Sequence, residues 1–215
     1  MSQIHPQATR GFHAANLYET HRPSYPSYAI SALLSRIRVA GVPGARLVEL
    51  GAGTGKFTSL LAARPEKYEI VAGEPHDEMR GVLEGKALRG VKIVDDRGES
   101  LRSVEEDWAG GVVIAQDAVD EVNAPIDHTP TTPYESRLKA IIRSLPNPVN
   151  LYRELKWKDV LLPEQQQFFQ WPLKEEELPY EIALSRESIW ERFATMSQVS
   201  SLKGEELQVW DISRS

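Results

Sequence analysis

Arg46-Leu-Val-Glu-Leu-Gly-Ala-Gly-Thr-Gly55 decides the fold. Arg46 to Leu50 is a short apolar run that stops at a glycine cluster, and Lys56 to Ala63 then sets Phe57, Leu60 and Leu61 at helix-like spacing. The segment reads as strand, tight turn, helix. Glycines at 51, 53 and 55 on the carboxyl end of a strand let the chain turn sharply, let a ligand approach the backbone without a Cβ in the way, and aim amide donors at it. A nucleotide-like ligand is implied. Two other glycine loops fail on spacing. A P-loop ending at Gly55-Lys56 needs glycine at Leu50 and Ser or Thr at Phe57, and the dinucleotide fingerprint starting at Gly51 needs glycine or alanine at Lys56. Neither ATP hydrolysis nor NAD binding is supported.

Working outward, Tyr68 to Glu74 is a second strand candidate, Asp77 is placed to cap a helix through about Lys86, Val91 to Val94 reads as a third strand, and Gly111 to Gln116 as a fourth. Upstream, Ser27 to Ala40 carries Ile30, Leu33, Leu34 and Ile37 at helical spacing and ends at Gly41, with Pro43 just beyond. Strands alternating with helices favour a parallel sheet, because parallel neighbours need crossovers that bury an apolar stripe on the sheet. The fold class is α/β, a Rossmann-like, mostly parallel sheet with helices on both faces. Glu74 closes the second strand, where a carboxylate can accept hydrogen bonds from both hydroxyls of an adenosyl ribose. Pro125 to Pro133 is a loop or linker.

Composition narrows the function classes. The chain has 215 residues, 41% hydrophobic and 26% charged, enough for one substantial core or a core with a small appendage. A net charge of −6 provides no general attraction to nucleic acid or anionic lipid, so a small-molecule partner is expected. With no cysteine, disulfides, thiolate zinc sites and cysteine nucleophiles are excluded, and no metal site is expected. Met1 to Phe12 lacks an apolar core, and no apolar stretch approaches the ~20 residues that span a bilayer. A soluble, cytoplasmic protein is expected.

Taken together, the glycine loop and the spaced acid resemble the class I S-adenosyl-L-methionine (SAM) dependent methyltransferases, in particular the subgroup similar to the ubiquinone and menaquinone biosynthesis enzymes and their fungal secondary-metabolism relatives. The likeness runs from about Phe12 to Gln116 and includes Tyr18-Glu-Thr-His-Arg-Pro-Ser-Tyr-Pro26, similar to that subgroup's N-terminal signature. A weaker likeness returns from Tyr134 to Leu202. The resemblance implies that Glu49, Gly51, Ala52, Gly53 and Gly55 surround the methionine part of SAM, that Glu74 holds the ribose, that Asp96 and Arg97 lie beside the adenine, and that Tyr18 and Arg22 close the pocket. Arg97 stands where the family usually has an acidic or small polar residue, so an acidic adenine contact has to come from Asp96 or be absent. The implied reaction is methyl transfer to a small organic molecule, such as a secondary metabolite. No protein nucleophile is required for it, and no catalytic residue is assigned.

The resemblance also departs from the family after the fourth strand. Only eight residues separate Gln116 from Pro125, too few for the helix and fifth strand expected there, because a parallel crossover needs ~10 to 12. A sheet shortened relative to the seven-stranded family fold is expected, and a homodimer would satisfy the exposed edge of the fourth strand. The expected organisation is an N-terminal arm and helix over 1–40, a SAM-binding core over 41–124, and a substrate or lid region over 125–215 packed on that core. The alternatives are a degenerate methyltransferase-fold protein acting as a non-catalytic partner subunit, and a SAM-binding protein that catalyses a reaction other than transfer. Asp127 and His128 could serve as a base, although a lone loop histidine is more often solvated. Phe168, Phe169 and Trp171 read as core aromatics or a substrate wall, and Glu175 to Glu177 as a solvated turn.

Overall fold

In the computed structural model of the protein, residues 15–98, 100–114, 129–144, 176 and 178–200 are described. The chain divides into two compact units, residues 1–117 with 182–215 and residues 118–181. In chain order the first unit contains α1 (Ala15–His21), α2 (Ser27–Arg36), β1 (Arg46–Leu50), α3 (Lys56–Ala62), β2 (Glu69–Gly73), α4 (Asp77–Gly85), β3 (Val91–Val94) and β4 (Gly111–Ile114). The second unit contains α5 (Pro133–Ser144), after which α6 (Arg186–Ala194) and α7 (Ser197–Ser200) belong to the first.

All four strands are parallel, in the order β3-β2-β1-β4. The register sets Leu50 beside Gly73 and Ile114, and Gly73 beside Val94, so the strands end level and the segments that follow them leave one edge together. Chain order reverses direction at β1, whose neighbours are β2 on one side and β4 on the other. In open α/β sheets the crevice at such a switch point is where ligands bind. This is the α/β, Rossmann-like sheet expected from the sequence. Among the described residues no strand follows β4, which pairs with β1 and ends the sheet on that side.

Because side chains alternate along a strand, Leu47, Ile70, Ala72, Val91 and Ile93 share one face. Leu47 and Ile70 join Ile30 and Leu34 of α2 and Phe57 and Leu61 of α3 in one buried cluster, and Ala72 packs with Leu83 of α4. Val48 and Val71, on the opposite face, are buried as well. Burial on both faces explains why β1 reads as a continuous apolar run rather than an alternating one.

Element ends differ from expectation where local chemistry intervenes. The helix begun at Ser27 stops at Arg36 rather than Ala40, because Arg38 adopts φ 61° and closes a Schellman turn: Val39 N–H donates to the Leu34 carbonyl at 3.0 Å and Arg38 N–H to that of Ser35 at 3.1 Å. Buried Val39 then packs in the same cluster as Leu34. Asp77 is the first residue of α4 and pairs with Arg80, while the cap position falls on His76. Pro133 opens α5 instead of ending the preceding loop; Thr132 Oγ1 accepts from Glu135 N–H at 3.1 Å, and proline suits the first helical position because its missing donor is not needed there. Gln116 to Pro125, Asp127, His128, Phe168, Phe169, Trp171, Glu175, Glu177 and 206–212 lie outside the described residues. Among the described residues no helix is long and apolar enough to cross a membrane.

The turn between α2 and β1 is fastened from below by Tyr68, whose buried hydroxyl donates to the Val39 carbonyl at 3.0 Å. Tyr68→Phe keeps the ring and deletes this donor. It is expected to cost about 1 to 2 kcal/mol, read as a lower urea midpoint with an unchanged m-value.

Candidate functional site

Three sequence-predicted groups emerge from adjacent strand ends: Gly51 to Gly55 after β1, Glu74 after β2, and Asp96 with Arg97 after β3. The glycine loop uses left-handed backbone at Gly51 (φ 67°), Gly53 (φ 59°) and Gly55 (φ 79°), which explains the alternation of glycine with other residues. Gly55 also has no room for a side chain, since a Cβ there would lie 2.2 Å from Leu83 Cδ1. That contact seats α4 against the loop. No atom lies within 4 Å of where a Gly51 Cβ would be, so the first turn of the loop stands open.

Most of the loop amides are used internally rather than presented to a ligand. Gly51 and Ala52 N–H donate to the Gly73 carbonyl at 2.9 and 3.0 Å, and Gly55 N–H donates to that of Ala52 at 2.9 Å. Gly53 N–H donates to Glu74 Oε2 at 2.7 Å, and His76 N–H donates to Glu74 Oε1, also at 2.7 Å. Glu74 therefore joins the glycine loop to the start of α4. A carboxylate offers roughly four acceptor positions, and these two bonds use half of them.

Behind the loop lies a polar cluster that sequence reasoning only partly anticipated. Glu49 is fully buried on β1, and neither carboxylate oxygen has a hydrogen-bond partner. The Thr54 and Thr58 hydroxyls are buried and unpartnered too. Unpaired buried polar groups are costly and uncommon, so their concentration here marks a place made for polar contact. Burial pushes the Glu49 carboxyl up to about 7, aided by the Glu74 charge; the nearby Thr58 hydroxyl, not placed for a hydrogen bond, and the Lys86 charge act the other way. Glu19 on α1 completes the group. Burial alone would raise its carboxyl, but the hydrogen bond from Lys86 Nζ at 2.7 Å, with Thr54 and the charges of Lys56 and Lys86, holds it below the ordinary carboxylate value. Nothing in the local sequence signals the pairing of Glu19 with Lys86. The threonines could have been singled out, as they lie four apart across the loop-to-helix junction.

The other expected residues are placed as follows. Asp96 is buried, and its Oδ2 accepts from Ser103 N–H at 2.7 Å, holding the loop after β3. Arg97 forms an antiparallel bridge with Ser100. Gly73 lets this loop approach β2, since a Cβ there would stand 3.1 Å from the Asp96 carbonyl. Tyr18 and Arg22 come together on α1 and just beyond it, with the guanidinium 5.2 Å from the ring centroid, and buried Arg22 donates through Nε to Thr195 Oγ1 at 2.8 Å. Arg22 thus ties the N-terminal arm to the end of α6.

Two outcomes follow from this packing. Gly55→Ala forces a left-handed conformation on a residue with a Cβ and collides with Leu83, so it should destabilise the protein by about 2 to 4 kcal/mol. The cost of Gly55→Ala combined with Leu83→Ala should fall short of the sum of the two, as read by chemical denaturation. Glu49, raised in the folded protein from 4.5 to about 7, holds its proton more tightly folded than unfolded. Stability should therefore fall by about 3 kcal/mol as pH rises from 4.5 to 7 and level off above, and Glu49→Gln should remove that slope from a series of unfolding curves.

Comparison with known proteins adds a distant relationship. No family model matches the chain, and no solved structure is significantly similar. Proteins named as uncharacterized methyltransferases in Mycobacterium bovis and Mycobacterium tuberculosis are 34% identical to it over 103 residues. The match covers 48% of this chain and 38% of the relatives, so the chain spans well under half of their length. This chain is a distant homologue of proteins that carry the methyltransferase name.

Proposed function

We propose that this chain binds SAM at the carboxyl edge of β1 and β2 and transfers its methyl group to a small organic molecule, in the manner of a class I methyltransferase. The observation that carries the reading is the Glu74 carboxylate, bonded to Gly53 N–H at 2.7 Å between the ends of β1 and β2, beside the switch point at β1. A carboxylate beside an open glycine turn supports the reading, since it suits the hydroxyls of a ribose. Homology to proteins named as methyltransferases supports the same assignment.

The residues present fit the group. Glu74 keeps acceptor positions for two hydroxyls, Gly51 leaves space against the backbone, and Glu49 offers a buried carboxylate in need of a donor. The ammonium of SAM's zwitterionic amino acid end is a donor that suits that last requirement. Asp96, with one oxygen on Ser103, and Arg97 are the groups proposed for the adenine end, and Tyr18 and Arg22 for the cover. When bound, SAM would supply a methyl group on a sulfonium, open to in-line attack by an oxygen, nitrogen or carbon nucleophile with S-adenosylhomocysteine as the leaving group. The chain's part is to orient the two reactants and exclude water, so a catalytic triad is not needed. A polyketide-like or quinone-like secondary metabolite is the proposed acceptor class, on the resemblance noted in the sequence.

Calorimetric titration with SAM tests the reading. The expected result is micromolar binding that weakens at least tenfold in Glu74→Ala, the loss of a charged hydrogen-bond acceptor being worth about 1.5 to 3 kcal/mol, and that disappears in Gly53→Arg. A folded wild-type protein that does not bind SAM would overturn it.

A further inference from the structure

The polar cluster behind the glycine loop is closed. Both Glu49 carboxylate oxygens, the Thr54 hydroxyl and Glu19 Oε2 are buried, with no hydrogen-bond partner among the described residues. A ligand donor reaches these atoms only after something around them has moved.

The helix that carries Glu19 is held in a way that lets it move. Of the seven residues of α1, Ala15 is the one that is buried, and Leu17 is 48% exposed. A helix this short is not stable by itself, and apolar burial adds little to it here. Polar ties fasten it instead. Lys56 Nζ donates to the Glu19 carbonyl at 2.5 Å, and Lys86 Nζ donates to Glu19 Oε1 at 2.7 Å and to Ser59 Oγ at 3.4 Å. Just beyond the helix, Arg22 Nε donates to Thr195 Oγ1 at 2.8 Å. Lys56 directly follows Gly55, so Glu19 is tied to the exit of the glycine loop. The Glu19 and Lys86 side chains are 30% and 22% exposed, shielded more than a surface ion pair yet within reach of water. Segments with little buried apolar area and water-accessible polar ties open locally, at less than the cost of global unfolding.

We propose that α1 is a strap against the exit of the glycine loop, latched by Glu19 on Lys86, and that SAM reaches Glu49 and Thr54 when the latch opens. Glu19 and Lys86 are then positioning residues, acting through α1. The inference rests on the SAM-binding reading and deepens it by supplying the entry step of that site.

Such a strap has a kinetic signature. When a ligand enters and leaves only through a sparsely populated open state, its association and dissociation rates both scale with the open fraction, and their ratio does not. Damage to the site itself changes the ratio.

The test combines amide hydrogen exchange of α1 with stopped-flow SAM binding in wild type, Lys86→Met and Lys86→Arg. In wild type the α1 amides are expected to exchange by local opening, far faster than those of β1 and β2, and at a rate that the global destabilisation of Tyr68→Phe leaves unchanged. Lys86→Met should speed α1 exchange and both SAM rate constants about threefold to tenfold, the worth of one partly buried ion pair, with the dissociation constant within about twofold of wild type. Lys86→Arg keeps a charged donor and should return toward wild-type rates. Alpha-helical amides of α1 that exchange only with global unfolding, or SAM rates that stay fixed while α1 exchange quickens, overturn the inference and leave the SAM reading intact. A folded wild type that binds no SAM overturns both. Should Lys86→Met not fold, Glu19→Gln carries the same expectation; loss of folding in both would show that the pair is structural and end the proposal.

Discussion

A hydrogen bond of 2.7 Å between Gly53 N–H and the Glu74 carboxylate couples the loop after β1 to the end of β2. It can form because parallel pairing brings Leu50 level with Gly73, so the two chains leave the sheet side by side. The other Glu74 oxygen then takes His76 N–H and starts α4, whose Leu83 fills the space left by the absent side chain of Gly55. Strand register brings these groups together, and the loop conformation and the start of α4 then meet at one carboxylate.

The cost of this arrangement is concentrated behind the loop. Burying a carboxylate without partners is unfavourable, and Glu49 meets that penalty by holding its proton up to about pH 7. Functional sites often retain groups that a purely structural core would have replaced with hydrocarbon. Here the retained groups are Glu49, Thr54 and Thr58, with Glu19 and Lys86 enclosing them from α1 and α4. The N-terminal arm thereby joins this polar cluster through Glu19, and Arg22 carries the connection on to Thr195 beyond α6.

What the sequence by itself determined is whatever short-range chemistry dictates. Arg46 to Leu50, Lys56 onward, Tyr68 to Glu74 and Val91 to Val94 form the expected elements because apolar period, glycine spacing and chain punctuation are local signals. The alternation of strand and helix was enough to specify a parallel sheet, and the glycines and Glu74 were legible as neighbours because both lie at strand ends. Helix ends were less legible. Arg38 in left-handed backbone gives no sequence sign of itself, so α2 stops before the glycine that seemed to mark its end.

Only the tertiary structure decided which groups meet across long separations. Glu19 and Lys86 lie 67 positions apart and Arg22 and Thr195 lie 173 apart, and nothing in their neighbourhoods encodes those pairings. It also decided that the loop amides of Gly51, Ala52 and Gly53 are spent on β2 and Glu74, because the level strand ends bring acceptors within reach. The charge state of Glu49 belongs to the same category. A residue type fixes an ordinary titration, but burial by α3 and α4 and the opposing charges of Glu74 and Lys86 displace it, and those neighbours exist only once the sheet has assembled.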